Sequence, residues 1–259
     1  MKTIDLAYTS YGDKGPPLLI LHGLFGAGRN WSSIARRLAE RHRVLAVDLR
    51  NHGASPHGEM DYPHLAADLV RLLDSRNIDS SAVIGHSLGG KVAVWLAVTA
   101  AARVSRLVAV DIAPVCYRHD FNPVLSALRG LPIAEIRSRN QADEWLSESI
   151  PESSLRQYLL QNLISEHGHY RWRIDLEIFR RTIPTLLDFP PLDHLAPYPG
   201  QTLFIGGSRS RYILPEYHAA ITRYCPNHRM ETIQDAGHWV HVDQPRRFVE
   251  MVNEFLVGV

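Results

Sequence analysis

Short runs of aliphatic residues recur along the chain, separated by stretches long enough to be helices. Leu18-Leu19-Ile20-Leu21 is the first, and RVLAVDL over 43–49 and Ala82-Val83-Ile84 come next. VSRLVAVDI over 104–112, TLFI over 202–205 and RMETI over 229–233 complete the series. Most are nearly continuous apolar runs rather than alternating ones, which is how strands read when a parallel sheet is covered on both faces. Between them, 31–41, 62–76 and 88–102 show helical periodicity. The alternation predicts an α/β fold built on a doubly wound, mostly parallel sheet.

One stretch breaks this rhythm. Over 113–191 the pattern is helical, with amphipathic segments at 145–163 and 171–181, prolines throughout and no convincing strand. A helical insertion between two strands of a finished sheet has no place within it and must sit above it. The expected organisation is a core of 1–112 and 192–259 with an all-helical cap over 113–191.

Composition narrows the setting. The chain has 259 residues, 45% of them hydrophobic, with a net charge of +1, which gives no electrostatic reason to expect nucleic acid or an anionic membrane. All but three of the 28 basic residues are arginine, the lysines being Lys2, Lys14 and Lys91. Cys116 and Cys225 form neither a disulfide framework nor a metal pattern. No leader-like segment opens the chain, and no apolar run is long enough to span a bilayer, so a soluble cytoplasmic protein without stable membrane association is expected.

The candidate chemistry lies in three loops. Gly85-His86-Ser87-Leu88-Gly89 follows a buried-strand pattern and opens a helix. This is the setting in which a G-x-S-x-G serine is lifted out of a sheet as a nucleophile. The helix would aim its positive end at the reaction centre, and the Leu88 N–H would face a developing oxyanion. His22-Gly23-Leu24-Phe25-Gly26 follows the strand at 18–21 and offers the Leu24 N–H as a second oxyanion donor. His238, in Asp235-Ala236-Gly237-His238-Trp239 just past the last strand pattern, is the candidate base; His241 is its nearest competitor.

Together with Asp48-Leu49-Arg50-Asn51-His52-Gly53-Ala54-Ser55 and the Val-Asp-Ile-Ala-Pro segment at 110–114, these motifs resemble the α/β-hydrolase superfamily, and within it the small bacterial esterases of the YbfF type. The resemblance implies an acyl-ester or thioester hydrolase with a helical cap and no cofactor. The chain departs from the commonest pattern in the loop after 202–205, where Gly206-Gly207-Ser208-Arg209-Ser210-Arg211-Tyr212 contains no carboxylate; the first acid downstream is Glu216. A charged imidazole needs an acceptor at its second nitrogen. Asp111, at the end of a neighbouring strand, can supply it, and the resemblance implies the same position, with Ser208 hydrogen-bonding near it. Asp235 and Asp243 are expected to stabilise the histidine loop.

The expected activity is that of a serine esterase acting on short to medium acyl esters or thioesters of small molecules. The same triad serves acyl-CoA thioesterases and carbon–carbon bond hydrolases, whereas a non-catalytic receptor on this scaffold would be expected to lack a triad member. Phe121, Trp145, Tyr158, Trp172 and Phe179 are candidates for lining the pocket. Arg171, Arg173, Arg180 and Arg181 would suit a phosphate-bearing leaving group, or would simply pair with nearby acids.

Overall fold

A computed structural model describes residues 2–257. Among the described residues, seven strands form one sheet in the order β1-β3-β2-β4-β5-β8-β9. They are β1 (Tyr8–Tyr11), β2 (Pro17–Leu21), β3 (Arg43–Val47), β4 (Ser81–His86), β5 (Val104–Val110), β8 (Thr202–Gly207) and β9 (His228–Ile233). Every neighbouring pair is parallel except β1 with β3, so the sheet is mostly parallel and doubly wound, as the alternation predicts.

The continuous apolar runs resolve into two faces with period two. Leu19, Leu21, Val83, Leu107, Ala109 and Phe204 point into one core, shared with α2 (Tyr62–Ser75), α3 (Leu88–Thr99) and much of the 113–191 insertion. Leu18, Ile20, Ala82, Ile84, Val108, Val110, Leu203 and Ile205 point into the other, under α1 (Ser32–Leu38) and the helix Pro245–Val257. Burial on both faces explains why these strands carry almost no polar residues.

The insertion differs from its expected form. It contains α4 (Asn122–Gly130), α5 (Arg139–Ser147), α6 (Ser153–Leu160) and α7 (Leu176–Leu187), but also an antiparallel hairpin of β6 (Leu163–Glu166) and β7 (His169–Trp172). It is therefore not all-helical. The segment at 145–163 is no single helix, because Pro151 separates α5 from α6, and the helical pattern at 171–181 begins only at Leu176. The turn of the hairpin is His167-Gly168, both with positive φ, the geometry of a two-residue hairpin connection. Each strand is four residues long, mixes polar and apolar residues and is partly exposed, so a search for continuous apolar runs passes over them.

The carboxyl edge of the sheet concentrates backbone strain. Phe25, Asn51, Ser87, Asp111 and Asp235, in the loops after β2, β3, β4, β5 and β9, all have positive φ. Left-handed conformations at non-glycine residues cost of order 1–3 kcal/mol each and gather where a loop must present a group rather than merely turn.

Candidate active site

Ser87 sits between β4 and α3 with φ +52 and ψ −120. Its N–H donates to Val110 O at 3.0 Å, and its carbonyl accepts from the N–H groups of Gly90 and Lys91. The turn is tight enough to exclude side chains on either side. A Cβ on Gly85 would lie 2.1 Å from Gly89 O, and one on Gly89 would lie 2.4 Å from Leu21 O. Leu88 is the first residue of α3, so its N–H has no acceptor within the helix.

The loop after β2 is clamped from below and above. His22 Nδ1 donates to Gly23 O (2.8 Å), and His22 Nε2 accepts from Leu49 N–H (3.1 Å). His52 Nδ1 donates to Arg50 O (2.9 Å), and its Nε2 accepts from Phe25 N–H (3.2 Å). These backbone partners dictate one neutral tautomer for each ring. Burial pushes His22 down to about 4 and His52 down to about 3, so both stay uncharged at neutral pH. From the insertion, Tyr158 Oη donates to Leu24 O (3.0 Å) and Asn162 Nδ2 to Phe25 O (2.8 Å). A Cβ on Gly23 would be 3.2 Å from Ser87 Cβ, so this loop lies directly against the serine. The Leu24 N–H donates to no other described residue.

His238 follows β9. Its Nδ1 donates to Asp111 Oδ2 at 2.7 Å, and its ring stacks on Tyr212 with centroids 3.9 Å apart. Its carbonyl accepts from His86 Nε2 (2.8 Å), which ties the histidine loop to the elbow. Asp111 is fully buried and also accepts from Gly207 N–H (3.2 Å) and Ser210 Oγ (2.5 Å). Here the structure corrects the expectation: Ser210, not Ser208, bonds to Asp111. Ser208 Oγ instead accepts the N–H of Asp235 (3.0 Å). Ser208 follows directly on β8, whereas Ser210 lies two residues further along a loop that closes with its N–H on Gly207 O, and that turn carries its hydroxyl to the carboxylate. Glu216 is exposed and bonds to none of these groups. Asp243 accepts from Gly237 N–H (2.7 Å), holding the histidine loop. His241 is buried and stacked on Trp31 at 3.8 Å, out of the cleft.

Ser87 and His238 line one open cleft of about 500 Å³, together with Leu24, Phe121, Tyr158 and Trp239. Ser87 also borders a second, narrow pouch of about 40 Å³ on the side of Leu88 and Lys91. A more voluminous groove, about 970 Å³, runs between α2 and α3, but its lining includes no residue named at the carboxyl edge. Of the aromatic candidates only Phe121 and Tyr158 reach the cleft. Phe179 is core, stacked on Phe25 at 4.9 Å; Trp172 donates to Leu128 O, and Trp145 is exposed. Arg171 and Arg180 are paired with Glu166 and Glu177. Among the described residues no group of three or more His, Cys, Asp or Glu is placed to hold a metal ion, and no helix is long and apolar enough to cross a membrane.

Sequence reasoning passed over Ser210, Lys91, Tyr212 and the paired histidines His22 and His52. Only the histidines carried a local signal, each standing beside a glycine in a loop after a strand pattern.

Comparison with known proteins gives concordant results. The sequence profile of the Alpha/beta hydrolase family matches residues 18–251. The chain is 41% identical over 266 residues to a Xenopus laevis protein named sn-1-specific diacylglycerol lipase ABHD11, covering 98% of this chain and 85% of that protein. It is 34% identical over 247 residues to esterase YbfF of Escherichia coli K12, covering 93% and 92% of the two. Among solved structures, a marine microorganism esterase superposes with a TM-score of 0.94 at 35% identity, covering 98% of this chain and all of that one.

Proposed function

Given that the chain belongs to the alpha/beta hydrolase family and is a carboxylic ester hydrolase, we propose that it is a serine esterase that hydrolyses short to medium acyl esters through an acyl-enzyme on Ser87. The observation that carries the reading is the placement of His238. One ring nitrogen is engaged by the buried carboxylate of Asp111, and the other side of the ring belongs to the cleft that Ser87 lines.

The chemistry follows from this arrangement. His238 Nε2 takes the Ser87 hydroxyl proton as Oγ bonds to the carbonyl carbon, and the carbonyl π pair moves onto oxygen. The N–H groups of Leu24 and Leu88 receive that oxyanion, the first held in place by the His22, His52, Tyr158 and Asn162 bonds. Asp111 holds Nδ1–H and balances the imidazolium. The tetrahedral species collapses as the bond to the leaving oxygen breaks, and that oxygen takes the proton from Nε2. Water then attacks the acyl-enzyme by the same route and releases the acid and free Ser87.

Fluorophosphonate labelling tests the reading. Wild type should be labelled at Ser87, and Ser87→Ala should be unlabelled, folded and slower by several orders of magnitude on nitrophenyl esters. Turnover by Ser87→Ala within tenfold of wild type would remove the serine from the mechanism. Parallel assay of acyl-CoA thioesters decides between oxygen and sulfur leaving groups.

A further inference from the structure

Two spaces meet at Ser87, and they are unequal. The wide cleft contains His238; the narrow pouch does not. Leu24, Ser87, Phe121 and Tyr212 border both and mark their junction, whereas Leu88, Lys91, Tyr117, Ile183 and Leu186 border the pouch alone and mark its depth. The leaving oxygen must receive its proton from His238, so the leaving group lies in the cleft. The acyl chain, on the other side of the same carbonyl carbon, then has the pouch.

Lys91 is the unexplained residue of that pouch. It is only 2% exposed and takes part in no ion pair among the described residues. Its Nζ donates to Leu187 O (2.8 Å) and Asp188 O (3.0 Å), approaches Leu186 O (3.4 Å), and lies 4.9 Å from the centre of the Tyr117 ring. The end of α7 suits a cation, since its carbonyls carry the negative pole of the helix. Most of those carbonyls have another donor. Tyr62 Oη lies 2.6 Å from Leu186 O and 2.8 Å from Asp188 O and, with a single hydrogen, donates to one of them, and Tyr117 N–H donates to Leu187 O (2.9 Å). Lys91 is the sole donor to one carbonyl at most, a task a neutral group could do, whereas burying an ammonium is costly. Its position is nevertheless rigid relative to the nucleophile, because Lys91 N–H donates to Ser87 O (3.1 Å) in the first turn of α3.

We infer that Lys91 closes the acyl pouch and sets the longest acyl chain the enzyme accepts. This inference rests on the serine-esterase reading above. At about 40 Å³ the pouch is less than a tenth the size of the 500 Å³ cleft measured the same way, which suits a short acyl chain and not a long one. A longer chain must push the ammonium off its carbonyls into an apolar wall, so the limit should be steep rather than gradual.

The test is an acyl series of nitrophenyl esters from acetate to decanoate, with kcat/KM for wild type, Lys91→Ala and Lys91→Met. Wild type should fall at least tenfold between butyrate and octanoate. Lys91→Ala should shift the optimum by two or more carbons. Lys91→Met, which fills most of the space but holds no carbonyl, should raise the octanoate-to-butyrate ratio by a smaller factor, and it keeps the test open should the alanine variant fail to fold. A structural role alone would lower every ester equally and leave the ratio unchanged, and that result overturns the inference; so does a wild type that already prefers octanoate. Fluorophosphonate labelling of Ser87 separates the two levels. A labelled enzyme with an unmoved ratio defeats only the assignment of Lys91, whereas an unlabelled wild type defeats the esterase reading itself.

Discussion

Replacing Asp111 with Asn exchanges one oxygen for an NH₂ group at a side chain with no solvent exposure. Three donors converge on the carboxylate: His238 Nδ1 at 2.7 Å and Ser210 Oγ at 2.5 Å on Oδ2, and Gly207 N–H at 3.2 Å on Oδ1. A carboxylate accepts all three, but an amide has one accepting oxygen. If that oxygen takes the Oδ2 position, the NH₂ faces the Gly207 N–H, and a buried donor is left unmatched at a cost of about 1–3 kcal/mol. An imidazolium forming on His238 in the proposed mechanism would then also lack its counter-charge. If the amide is flipped, its NH₂ faces His238 Nδ1 and Ser210. The ring then takes the tautomer with the proton on Nε2, which cannot receive the Ser87 proton. A wrong tautomer in a serine triad costs about 10⁴ in kcat, equivalent to about 5.5 kcal/mol of barrier. The expected loss for Asp111→Asn is therefore three to four orders of magnitude in kcat on nitrophenyl acetate, with a matching fall in the rate of fluorophosphonate labelling (roughly 4–5.5 kcal/mol). Denaturant unfolding in parallel confirms that the variant is folded. A folded Asp111→Asn enzyme with kcat within tenfold of wild type would refute the reasoning, as would a larger loss from Glu216→Gln.

Two further outcomes separate the groups around this carboxylate and the histidines behind it. Ser210→Ala should lower kcat by roughly tenfold, the worth of one hydrogen bond to a charged acceptor, while Ser208→Ala should leave it nearly unchanged; the reverse order in steady-state kinetics would contradict the assignment of Ser210. His22, His52 and His241 are held neutral by burial, pushed down to about 4, 3 and 3, whereas the unfolded chain protonates near 6.5. Because the unfolded state gains protons first, their contribution is fully present above pH 6.5 and is lost as pH falls towards the folded values. By pH 5 each removes about 2 kcal/mol, together about 6 kcal/mol, a large share of an ordinary 5–15 kcal/mol stability. Denaturant titrations at pH 7.5 and pH 5.0 measure this, and a difference below about 1 kcal/mol would show that the rings are not buried neutral.

Much of this molecule is written in local pattern. Continuous apolar runs such as Leu18-Leu19-Ile20-Leu21 make strands covered on both faces, because water is excluded from either side and every side chain must be apolar. The Gly85–Gly89 spacing makes a sharp turn, because backbone lies 2.1–2.4 Å from where a Cβ would stand. Both properties belong to a few consecutive residues. Other features are settled only by packing. The His167-Gly168 hairpin joins two short, mixed and partly exposed strands whose pairing is decided by partner rather than by composition. The partner of His238 is 127 residues away, and that of Asp111 is Ser210 rather than Ser208. Two serines two apart are equivalent to any rule of spacing, and they differ only in how the loop after β8 turns back on Gly207. The cleft and the pouch that divide at Ser87 depend in the same way on the end of α7 coming to rest against Lys91 and Tyr62. Hydrophobic period and turn sterics act over a few residues and are legible in order along the chain. Hydrogen-bond partners and cavities are relations between distant segments, and they exist only once the chain has closed on itself.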